Sequence, residues 1–215
     1  MSLTFYFHPL SSFCQKALIA LYENETAFRP HIVDLGDEAA RVAFLKLWPI
    51  GKIPVLRDEA RDRTVPEASI IIEYLAQHFP GKVELVPADA ERARQMRLCD
   101  RFYDFYVNQP MQKVVTDRLR PAGRNDTFGV EQAKALLKTA CGMIDQEMAT
   151  KTWAMGDAFS MADCAAAPAL FYADKVMPLG ETHTNVAGYL DRLKRRPSFA
   201  RAVEEAQPYF ALFPK

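Results

Sequence analysis

Two short stretches of this chain have the residue types to hold a small charged molecule: Gly51-Lys52-Ile53-Pro54-Val55-Leu56 and Pro66-Glu67-Ala68-Ser69-Ile70-Ile71-Ile72-Glu73-Tyr74-Leu75. In the first, an Ile-Pro bond leads into a strand-like run. In the second, a carboxylate stands where a helix should begin. With Ile53-Pro54 in the cis form, which proline alone makes cheap, the N–H and C=O of Ile53 pair with an extended ligand. The helix opening near Glu67 offers free N–H groups to a ligand carboxylate. Glu67 itself accepts from a ligand ammonium. The combination suits a short, charged peptide.

A third stretch, Ser11-Ser12-Phe13-Cys14, lies between the first strand and the first helix. In a βαβ unit this is where an anion or thiolate meets a helix N-terminus. A hydroxyl that donates to a thiolate, helped by the helix dipole, lowers a thiol's pKa from its usual ~8.5. Read alone, Ser11 or Ser12 is only an N-cap. The peptide-holding stretches downstream turn the reading toward sulfur chemistry. Cys14 closes a C-x-x-C-like spacing whose first position is Ser11, so there is no resolving pair and dithiol exchange is not supported. Its thiol reads as a small inward-facing hydrophobe. Cys99, Cys141 and Cys164 fall in apolar helical contexts, and the four histidines form no cluster, with only His8 beside the turn. That is neither a disulfide framework nor a metal pattern.

The elements that must position these residues follow from periodicity. Leu3 to Phe7 reads as a strand and Ser12 to Glu23 as a helix with Phe13, Ala17, Leu18 and Leu21 on one face. Tyr6 alternates with Phe5 and Phe7 and reads as structural. Phe28 to Val33 reads as a second strand, and Glu38 to Leu47 as a second helix. Val55-Leu56-Arg57 and Arg63-Thr64-Val65 bracket a polar turn as a hairpin, and a helix from Glu67 to Phe79 follows. The order βαβ, α, ββ, α predicts a mixed four-stranded sheet with helices packed on it. Val83 to Ala88 reads as a linker, and everything beyond it is helical in pattern. One long segment from about Asp89 to Leu119 should kink at Tyr106 because of Pro110. Further helices are expected at about 128–149, 161–175, 184–195 and 197–206. The fold class is α/β plus all-α, an α/β domain over 1–80 and an all-helical domain over 86–215.

The totals bound what this assembly can be. The chain has 215 residues, 49% hydrophobic and 25% charged, enough for a substantial core and unlike a disordered chain. Lys+Arg and Asp+Glu both number 27, so no basic excess points to nucleic acid or an anionic membrane. No apolar run is long enough to span a bilayer. The start, Met1 to Pro9, lacks a basic leader and alternates like a strand. The expected location is the reducing cytoplasm. Ser160-Met161-Ala162-Asp163 is a capping-box pattern, with Phe159 and Cys164 spaced as a hydrophobic staple. Asp163 is therefore read as structural, worth about 1–2 kcal/mol within a cap.

The Ser-bearing turn, the Gly51–Leu56 stretch, the Pro66–Leu75 stretch and Phe159-Ser160-Met161-Ala162-Asp163 occur here in an order that resembles the glutathione S-transferase superfamily, its bacterial, theta-like and zeta-like Ser-type branch, over essentially the whole chain. The resemblance implies a thioredoxin-like N-terminal domain, a helical-bundle C-terminal domain, a homodimer, and glutathione as co-substrate with no metal or other cofactor. It places the sulfur-handling hydroxyl at Ser11, with Ser12 the near alternative. Ile53, beside Pro54, pairs with the cysteinyl unit, Lys52 reaches the glycyl carboxylate, and Glu67 serves the γ-glutamyl end. The family usually has Ser after that Glu; Ala68 removes a hydroxyl contact to a carboxylate, a loss of ~1.5–3 kcal/mol or roughly tenfold to a hundredfold in affinity. Its N–H remains available. Trp48-Pro49 replaces a common Asn-Pro. Asp100, Arg101 and Asp104 lie on the long helix that lines the family's dimer cleft. A solvated or interchain salt-bridged face is expected there, with a carboxylate reaching glutathione from the neighbouring subunit as the alternative.

The implied second-substrate pocket has His8, Pro9, Phe13, Tyr106, Asn108, Gln109 and Met111 as walls, with Tyr209, Phe210 and Phe213 of the tail either joining them or filling the interdomain core. Such residues suit an apolar electrophile. The expected activity is glutathione transfer; isomerisation, dehalogenation and peroxide reduction use the same thiolate. The rivals are a non-catalytic binding module with a degenerate glutathione site, which Ala68 favours, and thiol–disulfide exchange through Cys14.

Overall fold

The computed structural model describes residues 2–214. Strand β1 (Leu3–Phe7) is central, because its apolar residues are buried on both sides of the sheet. It pairs in parallel with β2 (Arg29–Ile32) and antiparallel with β3 (Val55–Asp58). Strand β4 (Arg63–Pro66) completes the hairpin with β3, giving the order β2-β1-β3-β4. Phe5 lies opposite Pro30 on one side and Leu56 on the other. All four residues of β2 are exposed, as suits an edge strand that tolerates Pro30.

Helices α1 (Ser12–Glu23) and α3 (Ala68–His78) cover one face of the sheet, where Leu18, Leu21 and Ile71 meet Phe5, Phe7 and Leu56. Helix α2 (Glu38–Leu47) covers the other, where Phe44 packs with Val33, Val55 and Tyr6. The connection that follows α3 is tied to the end of α1: the Asn24 side chain accepts from Val83 N at 2.8 Å and donates to Val83 O at 3.1 Å.

The rest of the chain is helical: α4 (Ala90–Phe102), α5 (Gln109–Asp117), α6 (Thr127–Met148), α7 (Met161–Val176), α8 (Thr184–Arg195), α9 (Pro197–Ala206) and a 3₁₀ turn over Gln207–Leu212. Buried nearly all round, α7 is the core helix, as a run of small apolar residues allows; it packs on α1, α4 and α6's neighbour α8. Its capping box forms as expected, with Ser160 Oγ accepting from Ala162 N at 3.3 Å and Asp163 Oδ2 accepting from Ser160 N at 2.9 Å. The expected kink at Tyr106 takes another form. Between α4 and α5 the chain makes a π-helical segment, Tyr103–Asn108, and Pro110 follows in the first turn of α5. The wider turn resets the hydrogen-bond register just ahead of a residue that has no N–H to give. Among the described residues no helix is long and apolar enough to cross a membrane.

Candidate functional site

Ser11 is the N-cap of α1, with extended backbone (φ −74°, ψ 120°). Its N–H donates to His8 O at 3.0 Å, and its Oγ accepts from Cys14 N at 3.3 Å. Because the oxygen is used as an acceptor, the hydroxyl hydrogen is left to donate, at the positive end of α1. Ser12 is placed differently. It is buried inside the first turn, and its Oγ lies 3.4 Å from the Gln112 Nε2 of α5. Cys14 is fully buried; burial pushes its thiol up to about 12, against the opposing hydrogen bonds from Ser11 and the His8 backbone. A thiol held protonated and out of solvent is a core group, which removes the physical basis for exchange at Cys14.

The Ile53-Pro54 peptide is cis. Gly51 before it has φ +70°, a conformation that favours glycine. The N–H and C=O of Ile53 make no hydrogen bond among the described residues, since β3 pairing begins at Val55. Lys52 is exposed, Ile53 half-buried and Pro54 buried.

Glu67 adopts φ +70°, ψ 122°, left-handed backbone at a residue with a Cβ, and its exposed side chain makes no capping hydrogen bond. Such a conformation costs ~1–3 kcal/mol and persists only where its surroundings enforce it. The first-turn N–H groups of α3 are therefore left without a side-chain acceptor, at the end of a helix whose dipole favours an anion. Ala68 is buried in the sheet core.

The expected second-substrate walls differ in burial. His8 is half-buried, its Nδ1 accepting from Leu10 N at 3.2 Å, with its ring edge-on to Tyr209 at 5.0 Å between centroids. Burial lowers its pKa, partly opposed by Asp34. Phe13 is partly buried against the sheet core, whereas Tyr106 and Gln109 are exposed. Asn108 and Met111 are buried. Of the tail aromatics, Phe213 stacks on Tyr172 at 5.5 Å and Phe210 lies against Phe171 at 6.0 Å, so both pack on α7.

A hydroxyl at one helix N-terminus, an unpaired backbone edge at Ile53 and an open helix start at Glu67 are the groups the sequence leads one to expect around a peptide thiol. Two family models match the chain: the N-terminal domain of glutathione S-transferase over residues 5–83 and its C-terminal domain over residues 127–192. The chain belongs to the glutathione S-transferase superfamily. Its fold matches a glutathione S-transferase from Methylobacillus flagellatus solved with glutathione bound, with a TM-score of 0.85, 24% identity, and 94% of this chain and 98% of that one covered. Among curated relatives, it is 25% identical over 211 residues to the Stringent starvation protein A homolog of Histophilus somni, covering 96% of this chain and 92% of the relative. It is also 26% identical over 167 residues to Glutathione S-transferase GstB of Escherichia coli K12, covering 74% and 77%.

For a glutathione S-transferase superfamily chain, the long helix holds a feature that the sequence reading places wrongly. Asp100 and Asp104 do not form a solvated or interchain face: they are 1% and 5% exposed. Both turn inward onto Lys16 of α1, itself 1% exposed, whose Nζ lies 2.6 Å from Asp100 Oδ1 and 2.8 Å from Asp104 Oδ2. Lys16 Nζ also donates to Ser69 Oγ at 2.8 Å, and Ser69 Oγ donates to Asp100 Oδ2 at 2.8 Å. Arg101, half-buried, adds contacts to Asp100 at 2.6 Å and to Asp104 at 2.8 Å. Burial raises the Asp104 carboxyl pKa, with Lys16 opposing it. A signal for this exists in the sequence. From Ala17 to Leu21 the helix is apolar all round, so its neighbour Lys16 is enclosed too and requires counter-ions.

Proposed function

We propose that this protein is a glutathione transferase in which Ser11 donates a hydrogen bond to the glutathione sulfur. Glutathione lies extended along the Ile53 edge, its cysteinyl unit paired with the Ile53 backbone and Lys52 near the glycyl carboxylate. Its γ-glutamyl carboxylate meets the N–H groups of Ala68 and Ser69, and its ammonium meets Glu67. The thiol proton leaves to solvent, and the thiolate, stabilised by Ser11 and the α1 dipole, gives its electron pair to the electrophilic carbon of an apolar acceptor near His8, Phe13 and Tyr209. As the S–C bond forms, the bond from that carbon to its leaving group breaks and the group departs to solvent with that bond's electron pair. The observation that carries this reading is the placement of the Ser11 hydroxyl as N-cap at the N-terminus of α1. A glutathione titration followed in the ultraviolet tests it. A saturable thiolate band that disappears in Ser11→Ala supports both the site and the activator, and kcat/KM should fall by ~10²-fold. Undiminished turnover in Ser11→Ala refutes the role of Ser11.

The same reading takes the units as 1–80 and 86–215, in a cytoplasmic homodimer. Exposed Leu98 and Met143, which flank an apolar groove between α4 and α6, support the dimer; light scattering on the purified chain tests it. Ala68 favours a second reading, a binding module with a degenerate site, and likeness to a Stringent starvation protein A homolog agrees with it. Absence of any glutathione-dependent band in the titration would put that reading first.

A further inference from the structure

We propose that Lys16 is a positioning residue: it fixes the distance between the sulfur end and the γ-glutamyl end of the site, and so selects thiols that carry a γ-glutamyl unit. The inference rests on the glutathione reading above. Helix α1 carries Ser11 at its start, and Lys16 lies on the same helix little more than one turn further on. From there its ammonium reaches Ser69 at 2.8 Å, in the first turn of α3, whose N–H groups receive the γ-glutamyl carboxylate. One side chain thus joins the two helices that hold the two ends of the ligand.

The Ser69 hydroxyl has no freedom left. It accepts from Lys16, donates to Asp100 at 2.8 Å, and is contacted by Arg101. Two cations face two carboxylates, so the cluster is neutral as a whole. Stability alone does not call for such a cluster, because well-packed apolar residues serve as well or better at a buried ion-pair site. What ionic contacts add is a fixed geometry. An independent observation asks for one: Glu67, two residues before Ser69, has left-handed backbone, which must be enforced from outside. The clamp on Ser69 is placed to enforce it.

Calorimetric titration with glutathione, together with steady-state kinetics using glutathione and N-acetylcysteine, tests the proposal in the full chain. N-acetylcysteine has the thiol but no γ-glutamyl unit. Ser69→Ala, which removes one oxygen and leaves the ionic contacts of Lys16 in place, should raise Kd and KM for glutathione about tenfold. The preference for glutathione over N-acetylcysteine, read as the ratio of their kcat/KM values, should fall about tenfold. Lys16→Met should shift the same preference further. If Lys16→Met does not fold, as judged by circular dichroism, Ser69→Ala alone decides. Wild-type affinity for glutathione in Ser69→Ala overturns the proposal. So does a parallel loss with both thiols, which is what a purely structural role gives. A wild-type protein that binds no glutathione overturns the transferase reading itself, and is a different result from either.

Discussion

The Tyr189 hydroxyl donates to Asp163 Oδ1 at 2.6 Å, and both side chains are fully buried. The same carboxylate accepts from Ala154 N at 2.8 Å, Ser160 N at 2.9 Å and Ser160 Oγ at 3.1 Å. Burial raises its pKa while these donors oppose the rise. Asp163 therefore joins the start of α7 to α8 and to the loop at Ala154. Asp163→Ala leaves several buried donors unpaired, so the urea midpoint should drop by the equivalent of ~3–5 kcal/mol. Glutathione affinity of the folded fraction should not move; a selective loss of turnover at unchanged stability would make Asp163 catalytic instead.

Cys14 should be dispensable for chemistry. Cys14→Ala is expected to keep kcat within about twofold and to lose ~1–2 kcal/mol of stability through the small cavity it opens. The native thiol, pushed up to about 12 by burial, should resist iodoacetamide at pH 8 until the protein unfolds. Mass spectrometry of the alkylated peptide reads both states, and rapid native labelling would contradict the burial.

Ala68 stands at the first position of α3, where the open N–H groups begin. Adding a hydroxyl there should supply a further hydrogen bond to the γ-glutamyl carboxylate. Ala68→Ser is expected to lower the glutathione Kd about tenfold, in line with a hydrogen bond to a charged group. An unchanged Kd by calorimetry would mean that the carboxylate sits elsewhere.

Asp104 gives a pH dependence opposite in sign to that of an ordinary surface carboxylate. Burial raises its folded pKa, Lys16 opposes this, and Asp100 adds to it. The native state then keeps a proton that the unfolded chain, with a carboxyl pKa near ~3.9, has already released. The stability this group contributes is complete below about pH 4 and is lost as pH rises through the folded value. The stability difference between wild type and Asp104→Asn should be largest near pH 4 and shrink toward neutrality in urea titrations. A difference that grows with pH would show that attraction to Lys16 outweighs burial.

What the sequence makes legible here is what lies close together along the chain. Ser160 and Asp163 are three residues apart, and the cap they predict is the cap that forms. The hairpin between Val55 and Pro66 and the helix after Glu67 are likewise written in adjacent residues. Lys16 is different: Ser69, Asp100 and Asp104 are all far along the chain, and a charge on α4 looks like a solvated face until α1 is packed against it. The φ of +70° at Glu67 is also invisible in residue type, because glycine is the residue that position would suggest. Pro110 announces an irregularity in the long helix but not its form.

That form has a consequence for how the cleft can vary. A π turn accommodates one more residue than the α turn it replaces, so Tyr103–Asn108 behaves as an insertion absorbed within a continuous rod. Removing a single residue there, such as the exposed Phe105, would return the segment to plain α-helix and leave α5 in the phase it now has, because the extra residue is taken up locally. Gln112 would stay beside Ser12, and the same α5 side chains would face the first turn of α1. Related chains that differ by one residue in this segment would thus keep the same α5 face toward an electrophile, so the π turn buffers the cleft against changes in chain length.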